Sequence, residues 1–357
     1  MKMTSHTQSP YCLERNEKDK TLTRALLELS GHHRKLCPAY DRMLKALGTD
    51  LESVSDYREL PFLPVGLFKR LTLSSLEGED NTKTMTSSGT TGQRRSEIIL
   101  DGETRTAQQK ALAEIGMSFL GPDRMPMLVI DCPSTVKNRD NYSARTAGIL
   151  GFSLFGAHRT FALKDDMSLD MEAVQDFLGK YGKEKFLVFG FTFMIWQYLC
   201  MALEKSGCKL DMEHAILVHG GGWKKLEALN ISRDQLKEAL NKTCKVTRVH
   251  DYYGMAEQAG SIFMECEFGH LHASDYSGVI IRRPKDYSIC DIGEPGLIQV
   301  LSVLPKSYPG HSLLTEDEGV LLGEDDCPCG RLGAYFRVNG RIRHAEIRGC
   351  SDTYEAL

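Results

Sequence analysis

Apolar residues recur along the chain with two different periods. Over residues 18–47 the spacing is helical: Leu22, Leu26 and Leu29 fall on one face, and the pattern predicts two helices interrupted at Gly31. The next segment, LPFLPVGLFKR (60–70), predicts an extended stretch, because Pro61 and Pro64 forbid a regular helix. From about residue 95 short apolar runs alternate with helical stretches. Strands are expected at SEIIL (96–100), PMLVID (126–131), FLVFGF (186–191), AILVHG (215–220) and KVTRVHDYY (245–253). Helices are expected over 103–119, near 141–150, over 168–181, from the end of FLVFGF to about 206, and over 224–240. Repeated strand–helix units predict a largely parallel sheet covered on both faces. Beyond residue 257 the texture changes to β-like runs, IFMECEF, VIIRRP, GLIQVLSVL and AYFRV, separated by Gly and Pro.

The expected organisation is an N-terminal helical segment (1–85), an α/β core (86–257), a smaller β-rich subdomain (258–340) and a short tail (341–357). The uncharged run 186–203, FLVFGFTFMIWQYLCMAL, is long enough to span a bilayer. Gly190, Thr192 and Gln197 interrupt it, which favours a buried strand, a turn and a buried helix, with no transmembrane segment.

Composition narrows the picture. The chain has 357 residues, 41% of them hydrophobic, and a formal net charge of −4. That balance argues against nucleic-acid binding, which calls for a basic stripe, and leaves a local phosphate site open. The polar N-terminus MKMTSHTQSPYC has no apolar core of a signal peptide. Eleven cysteines without a secretory signal point to reduced thiols and a cytoplasmic location. Cys132, Cys200, Cys244 and Cys290 sit in apolar or β-like stretches and read as small core residues.

One local signal carries chemistry. Thr86-Ser87-Ser88-Gly89-Thr90-Thr91-Gly92 places five hydroxyl residues and two glycines in seven positions. Glycines allow close backbone approach, and hydroxyls with free N–H groups hold phosphate oxygens. It is not a Walker loop, since no Gly-Lys-Ser/Thr ending follows. Composition alone fits a flexible linker equally well. Arg94 and Arg95 just before a strand favour phosphate binding.

SSGTTG resembles the phosphate loop of the adenylate-forming superfamily, which includes acyl-CoA synthetases and firefly-type luciferases. Other segments resemble that superfamily in the same order. His219-Gly220-Gly221-Gly222 is similar to the glycine segment beside the adenine. Tyr252-Tyr253-Gly254-Met255-Ala256-Glu257 is similar to Tyr-Gly-x-Thr-Glu. Thr315-Glu316-Asp317-Glu318-Gly319 is similar to the ribose-binding segment, and Asn339-Gly340-Arg341 to the Gly-Arg hinge. LPFLPVGLFK, YGMAEQAG, TEDEG, CPCGR and AEIRGCSD resemble the LuxE-type acyl-protein synthetases over nearly the whole chain.

That resemblance implies an adenylate-forming α/β fold with parallel sheets covered by helices, a smaller β-rich subdomain and no C-terminal lid domain. It implies ATP and Mg²⁺, a carboxylic (fatty) acid made into an acyl-adenylate, and transfer of the acyl group to a cysteine near the C-terminus. An acyl reductase or acyl-carrier protein would be the partner. The matching cysteine is Cys350, with Arg348, Arg341, Arg343 and His344 near in sequence to favour its thiolate. Without the family, an inert cysteine on a frayed tail is the plainer reading. Ser87, Ser88, Gly89, Thr90, Thr91 and Gly92 would hold the phosphates, with Gly221, Gly254, Met255 and Arg341 also around the nucleotide. Glu257 would help hold Mg²⁺, Tyr253 would pack on the adenine, and Asp317 would hold the ribose hydroxyls.

Two departures stand out. Ala256 replaces the usual Thr, and the sequence ends sixteen residues after Arg341, with no lid lysine. The related phenylacetate-CoA ligases carry a similar Cys…Gly-x-His…Cys-x-Cys-Gly set. That match implies a structural Zn²⁺ on Cys266, His272, Cys327 and Cys329, with His270 spare. Reduced core cysteines and a surface histidine are the alternative. Phe189, Phe191, Phe193 and Trp196 read as an acyl pocket or as ordinary core. Three functions remain open: an acyl-protein synthetase, a ligase that delivers the acyl group to CoA, and a non-catalytic nucleotide-binding module.

Overall fold

The apolar runs that define the parallel strands are buried on both faces. A computed structural model describes residues 9–78, 82–86, 96–137, 144–221 and 231–341. Strands β1 (Leu63–Pro64), β2 (Lys83–Thr86), β3 (Glu97–Leu100), β4 (Met125–Val129), β5 (Gly156–Phe161), β6 (Phe186–Phe191), β7 (Ala215–Gly220) and β8 (Arg248–Tyr253) come first. Alternate residues face alternate sides. Leu128, Val188 and Leu217 enter one core, with the helices that follow β5, β6 and β7. Met127, Val129, Leu187, Phe189, Ile216 and Val218 enter the other, with Ile115, Ile149 and Phe152. An uninterrupted apolar run is what such two-sided burial requires.

β5, β4, β6, β7 and β8 are mutually parallel in that order. β9 (Phe263–Glu265), β10 (Leu271–His272), β11 (Ser277–Arg282), β12 (Pro295–Ser302), β13 (Ser312–Glu324) and β14 (Ala334–Arg341) follow. β9 pairs antiparallel with β8, and the ladder continues through β10, β14, β13 and β12 to β11. The expected α/β and β-rich parts therefore share one twelve-stranded sheet, and strand direction changes at β8–β9. β1, from the N-terminal segment, joins it in parallel on β13.

Several expectations shift. The first helix runs Arg15–Leu36 straight through Gly31, and the second is Pro38–Ala46. The break falls at Cys37 because Pro38 has no N–H and pushes its predecessor out of helical geometry. Residues 60–70 are extended only at β1; Val65–Lys69 form a 3₁₀ turn after Pro64. β5 and β13 were not expected as strands: β5 is a half-exposed edge with His158, Arg159 and Thr160, and β13 is read locally as an acidic loop.

The run 186–203 resolves into β6 and a helix beginning at Thr192. Among the described residues no helix is long and apolar enough to cross a membrane. Of the helix expected over 224–240, residues 224–230 lie outside the described residues, and the described helix runs Arg233–Cys244. Its capping box pairs the Ser232 and Gln235 side chains with each other's backbone N–H groups at 3.2 and 2.8 Å.

Candidate functional site

In open parallel sheets ligands bind outside the carboxyl ends of the strands. Here those ends carry the resemblance motifs. β7 ends in His219-Gly220-Gly221 and β8 runs into Tyr253-Gly254-Met255. A Cβ on Gly220 would stand 2.5 Å from the Tyr252 ring, so a side chain there would push β7 from β8. Gly221 turns the chain at φ +64°, in the left-handed region.

The antiparallel half supplies the acid. Asp317 pairs in register with Arg341 across β13 and β14, while the Arg341 guanidinium binds Glu316. The Tyr253 hydroxyl donates to Asp317 Oδ2 at 2.6 Å. Burial, and then the Asp317 carboxylate, hold the phenol well above its ordinary pKa, so it stays a neutral donor. This bond ties the end of β8 to the middle of β13.

Glu257 lies just beyond Met255 in a 3₁₀ turn and is buried. Its backbone carbonyl accepts from the Tyr308 hydroxyl at 2.9 Å. Gln258 donates to the Val300 and Gly310 carbonyls at 3.1 and 2.8 Å, which anchors the turn to β12 and to the start of β13. Ser87, Ser88, Gly89, Thr90, Thr91 and Gly92 lie outside the described residues. The strands that border them, β2 and β3, pair antiparallel as far as Thr86 opposite Glu97. Met85, Ile98 and Leu100 pack in the same apolar cluster as Tyr253 and Met255. Cys350 also lies outside the described residues.

Two polar networks at the same strand ends were not expected from sequence, where His219 entered only as part of the glycine segment. His219 Nδ1 sits 2.9 Å from the Thr192 hydroxyl and 3.6 Å from Asp251, its register partner on β8, and Arg233 reaches Asp251 at 3.7 Å. Burial lowers the His219 pKa, so the ring is a neutral hydrogen-bonding group. At the end of β4, buried Asp131 accepts from the Arg145 guanidinium, Thr135 Oγ1 (2.7 Å) and the Cys132 N–H (2.7 Å). The available signal was a charged or ionisable residue closing an otherwise apolar strand run.

Cys266, His272, Cys327 and Cys329 form a second centre. Their four ligand atoms lie within 4.8 Å of one another. The Cys266 and Cys327 sulfurs are 3.9 Å apart, and Cys329 Sγ is 3.3 Å from His272 Nε2. A tetrahedron with Zn–S bonds of about 2.3 Å has edges near 3.8 Å, so the donor set fits the ion. The first separation is also far too long for a disulfide. His270 stays outside the four: its Nδ1 lies 3.3 Å from Cys327 and its ring stacks on Tyr335 at 4.8 Å. Burial raises the Cys327 pKa to about 12 and lowers that of His272 to about 3. The other expected core cysteines, Cys132, Cys200, Cys244 and Cys290, are buried, and all ten described cysteines are free thiols.

The four acyl-pocket candidates of the 186–203 run separate, with Phe193 edge-on to Tyr198 at 6.5 Å. Phe189 and Phe191 pack on the face with Phe152 and Tyr252, whereas Trp196 packs on the opposite core.

Comparison with known proteins agrees with this geometry. The family model described as "Acyl-protein synthetase, LuxE" matches residues 5–356. A long-chain-fatty-acid–luciferin-component ligase of Vibrio harveyi is 24% identical over 323 residues, which cover 87% of this chain and 81% of that one. Among solved structures, an open 2-hydroxyisobutyryl-CoA ligase with 2-HIB-AMP and CoA superposes with TM-score 0.73 at 14% identity, over 96% of this chain and 80% of that one. The same ligase in its postadenylation state with R3-HIB-AMP gives 0.70 at 15% identity, over 95% and 72%. The structures establish the adenylate-forming fold, and the family match over nearly the full length places this chain in the LuxE family of acyl-protein synthetases.

Proposed function

We propose that the chain activates a long-chain fatty acid with ATP and passes the acyl group to a protein thiol, first its own Cys350. The family supports acyl activation and transfer, and the name of the Vibrio relative supports the acid class. The observation that carries the site is the Tyr253–Asp317 hydrogen bond at the carboxyl edge of the parallel strands. It brings two motifs 64 residues apart into contact.

A carboxylate is a poor electrophile, and attack on the α-phosphate converts it to a mixed anhydride with a good leaving group. The developing charge needs positioned donors. The 86–92 segment would hold the phosphates, and Gly221, Gly254 and Met255 would line the nucleotide. Asp317, oriented by Tyr253 and flanked by the Arg341–Glu316 pair, would accept from the ribose hydroxyls. Glu257 would hold Mg²⁺, which supplies charge neutralisation at the phosphates. Its burial at the end of β8 suits that role. The thiolate of Cys350 would then attack the acyl carbonyl and expel AMP, and a reductase-type or acyl-carrier protein would receive the acyl group. Zn²⁺ on Cys266, His272, Cys327 and Cys329 would be structural, since four protein ligands leave no open position.

The test is ATP–pyrophosphate exchange across a panel of acids, with intact mass of the protein after incubation with ATP and acid. Exchange with long-chain acids and a covalent acyl adduct are expected. Cys350→Ser should keep exchange and lose the adduct. Acyl-CoA formation without an adduct would instead assign a CoA ligase, and absence of exchange with every acid would leave only nucleotide binding.

A further inference from the structure

The helix after β6 departs from α geometry for one turn. Residues Trp196–Cys200 are π-helical, and the Met201 N–H reaches back five residues to the Trp196 carbonyl. Single π turns inside helices recur at functional sites, where the extra residue re-aims side chains. Here Ile195, Leu199, Cys200 and Leu203 enter the core against the sheet. Gln197, Tyr198, Met201, Ala202 and Lys205 instead line an open groove whose other wall is Met167–Leu169. The groove holds about 550 Å³, and small-molecule sites run from roughly 300 to 1,000 Å³.

Two observations mark the groove as a built surface. Met167 holds φ +69°, a left-handed conformation uncommon outside glycine, asparagine and aspartate. Asp166 fixes that turn by accepting from the Ser168 N–H at 2.9 Å and the Ser168 hydroxyl at 2.6 Å. The groove is also linked by packing to the site described above. Met167, Leu169 and Tyr198 pack on a small buried apolar cluster of Cys132, Leu163 and Met194, and Phe191 packs on the same cluster. The Phe191 ring lies 3.1 Å from where a Cβ on Gly221 would stand.

A path of apolar packing contacts thus links the carboxyl edge of the sheet to the groove. The helical stretch from Thr192 to Ser206 measures about 20 Å at 1.5 Å per residue, the reach of a long aliphatic chain. Thioether, aromatic and aliphatic groups form its walls, and unbranched methionines adapt to a flexible chain. Among the described residues no carboxylate lines the groove; its polar groups are Gln197, Lys205 and the Ser168, Tyr198 and Ser206 hydroxyls.

Resting on the acyl-adenylation reading, we infer that this groove is the distal part of the acyl-chain site. The substrate carboxyl lies near Gly221, the chain passes Phe191 and Met194, and its methyl end lies between Leu169 and Met201. The substrate class is an unbranched long-chain acid, and Ala202 with Ser168 sets the length accepted.

Ala202→Trp and Ser168→Trp add bulk to the groove. Exchange is measured with butanoate, octanoate and hexadecanoate. In the native protein kcat/KM should rise with chain length, from butanoate through octanoate to hexadecanoate. Each variant should lower the hexadecanoate-to-octanoate ratio by about tenfold or more, chiefly through KM. A second readout needs no turnover: a long-chain acid with a terminal diazirine, photolysed on the native full-length chain, should label residues 167–169 or 197–206, and Ala202→Trp should abolish that labelling. Unchanged length ratios in both variants, or label recovered only elsewhere, overturn the groove assignment while exchange itself persists. Failure of all three acids to support exchange overturns the adenylation reading, and the photolabel still decides whether the groove binds the chain.

Discussion

Tyr253 and Asp317 show how much depends on one hydrogen bond. The phenol is half-buried beside Phe263 and Phe336, and its hydroxyl finds the carboxylate from the other half of the sheet. Tyr253→Phe removes the donor yet keeps the ring, so the expected loss in stability is about 1 kcal/mol. Asp317→Ala also leaves a half-buried hydroxyl without its acceptor and should cost roughly 1–3 kcal/mol. The two variants differ more in ligand binding. A hydrogen bond to a charged group contributes about 1.5–3 kcal/mol, so Asp317→Ala should weaken ATP binding roughly 10- to 100-fold, with a smaller effect of Tyr253→Phe. Calorimetric titration of ATP, paired with urea unfolding, separates the terms. Native ATP affinity in a folded Asp317→Ala protein would remove Asp317 from the nucleotide site.

At the scale of elements, the N-terminal helix is held to the start of β13 by two histidines. His33 and His311 stack at 5.0 Å, and neither faces a carboxylate among the described residues. His33 Nε2 donates to the Pro305 carbonyl at 3.0 Å, so its Nδ1, 2.8 Å away, accepts from the Ser75 hydroxyl. His311 Nε2 lies 2.9 Å from Ser30 and 3.3 Å from Tyr40. Burial lowers the pKa of His33 to about 2 and that of His311 to about 3. Both are neutral when folded, and the unfolded chain takes up protons from about pH 6.5 downward. Their contribution is full above that pH and is lost as pH falls towards 3. Between pH 7 and 5 the loss should be about 2 kcal/mol per histidine. His219, His250 and His272, also lowered by burial, act in the same direction. Urea midpoints measured from pH 7 to 5 should therefore fall in the native protein, and His311→Asn should reduce the slope by about one proton. An identical slope in that variant would mean that His311 is protonated in the fold. Little of this anchoring was legible. Leu22 and Leu26 announced the buried face of the helix, but Gly31 gave a false stop, because a glycine inside a helix weakens it without ending it, whereas Pro38 does end it.

At the scale of the whole molecule, legibility followed burial. β6 and β7 were readable to the residue because two-sided burial demands continuous apolar side chains. β5 and β13 were hidden, one by a polar edge and the other by the charges Glu316, Asp317 and Glu318, which β13 carries at the site itself. The continuity of the sheet was not readable either, since register between β8 and β9 leaves no local trace. That continuity bounds what an ion at the Cys/His centre would do. It lies beyond the Glu324–Ala334 end of the β13–β14 pair, while Asp317 and Arg341 pair at the other. Seven residues of strand, Asp317 to Glu324, separate the two ends by about 24 Å. An ion there cannot touch substrate. It would clamp β9, β10 and the β13–β14 connection, and so hold the frame on which Asp317 is carried. Metal analysis of the purified protein should give about one zinc per chain. Chelation should lower Tm by several degrees, judged against roughly 2–4 °C per kcal/mol for chains of about 150–250 residues. Cys327→Ser should do the same without chelator, whereas exchange activity below the lowered Tm should stay within about twofold of native. A protein that carries no zinc and is indifferent to chelator would leave the four side chains as a thiol–imidazole core cluster. Loss of exchange well below the unfolding transition would instead show that the clamp acts on Asp317 through the intervening strand.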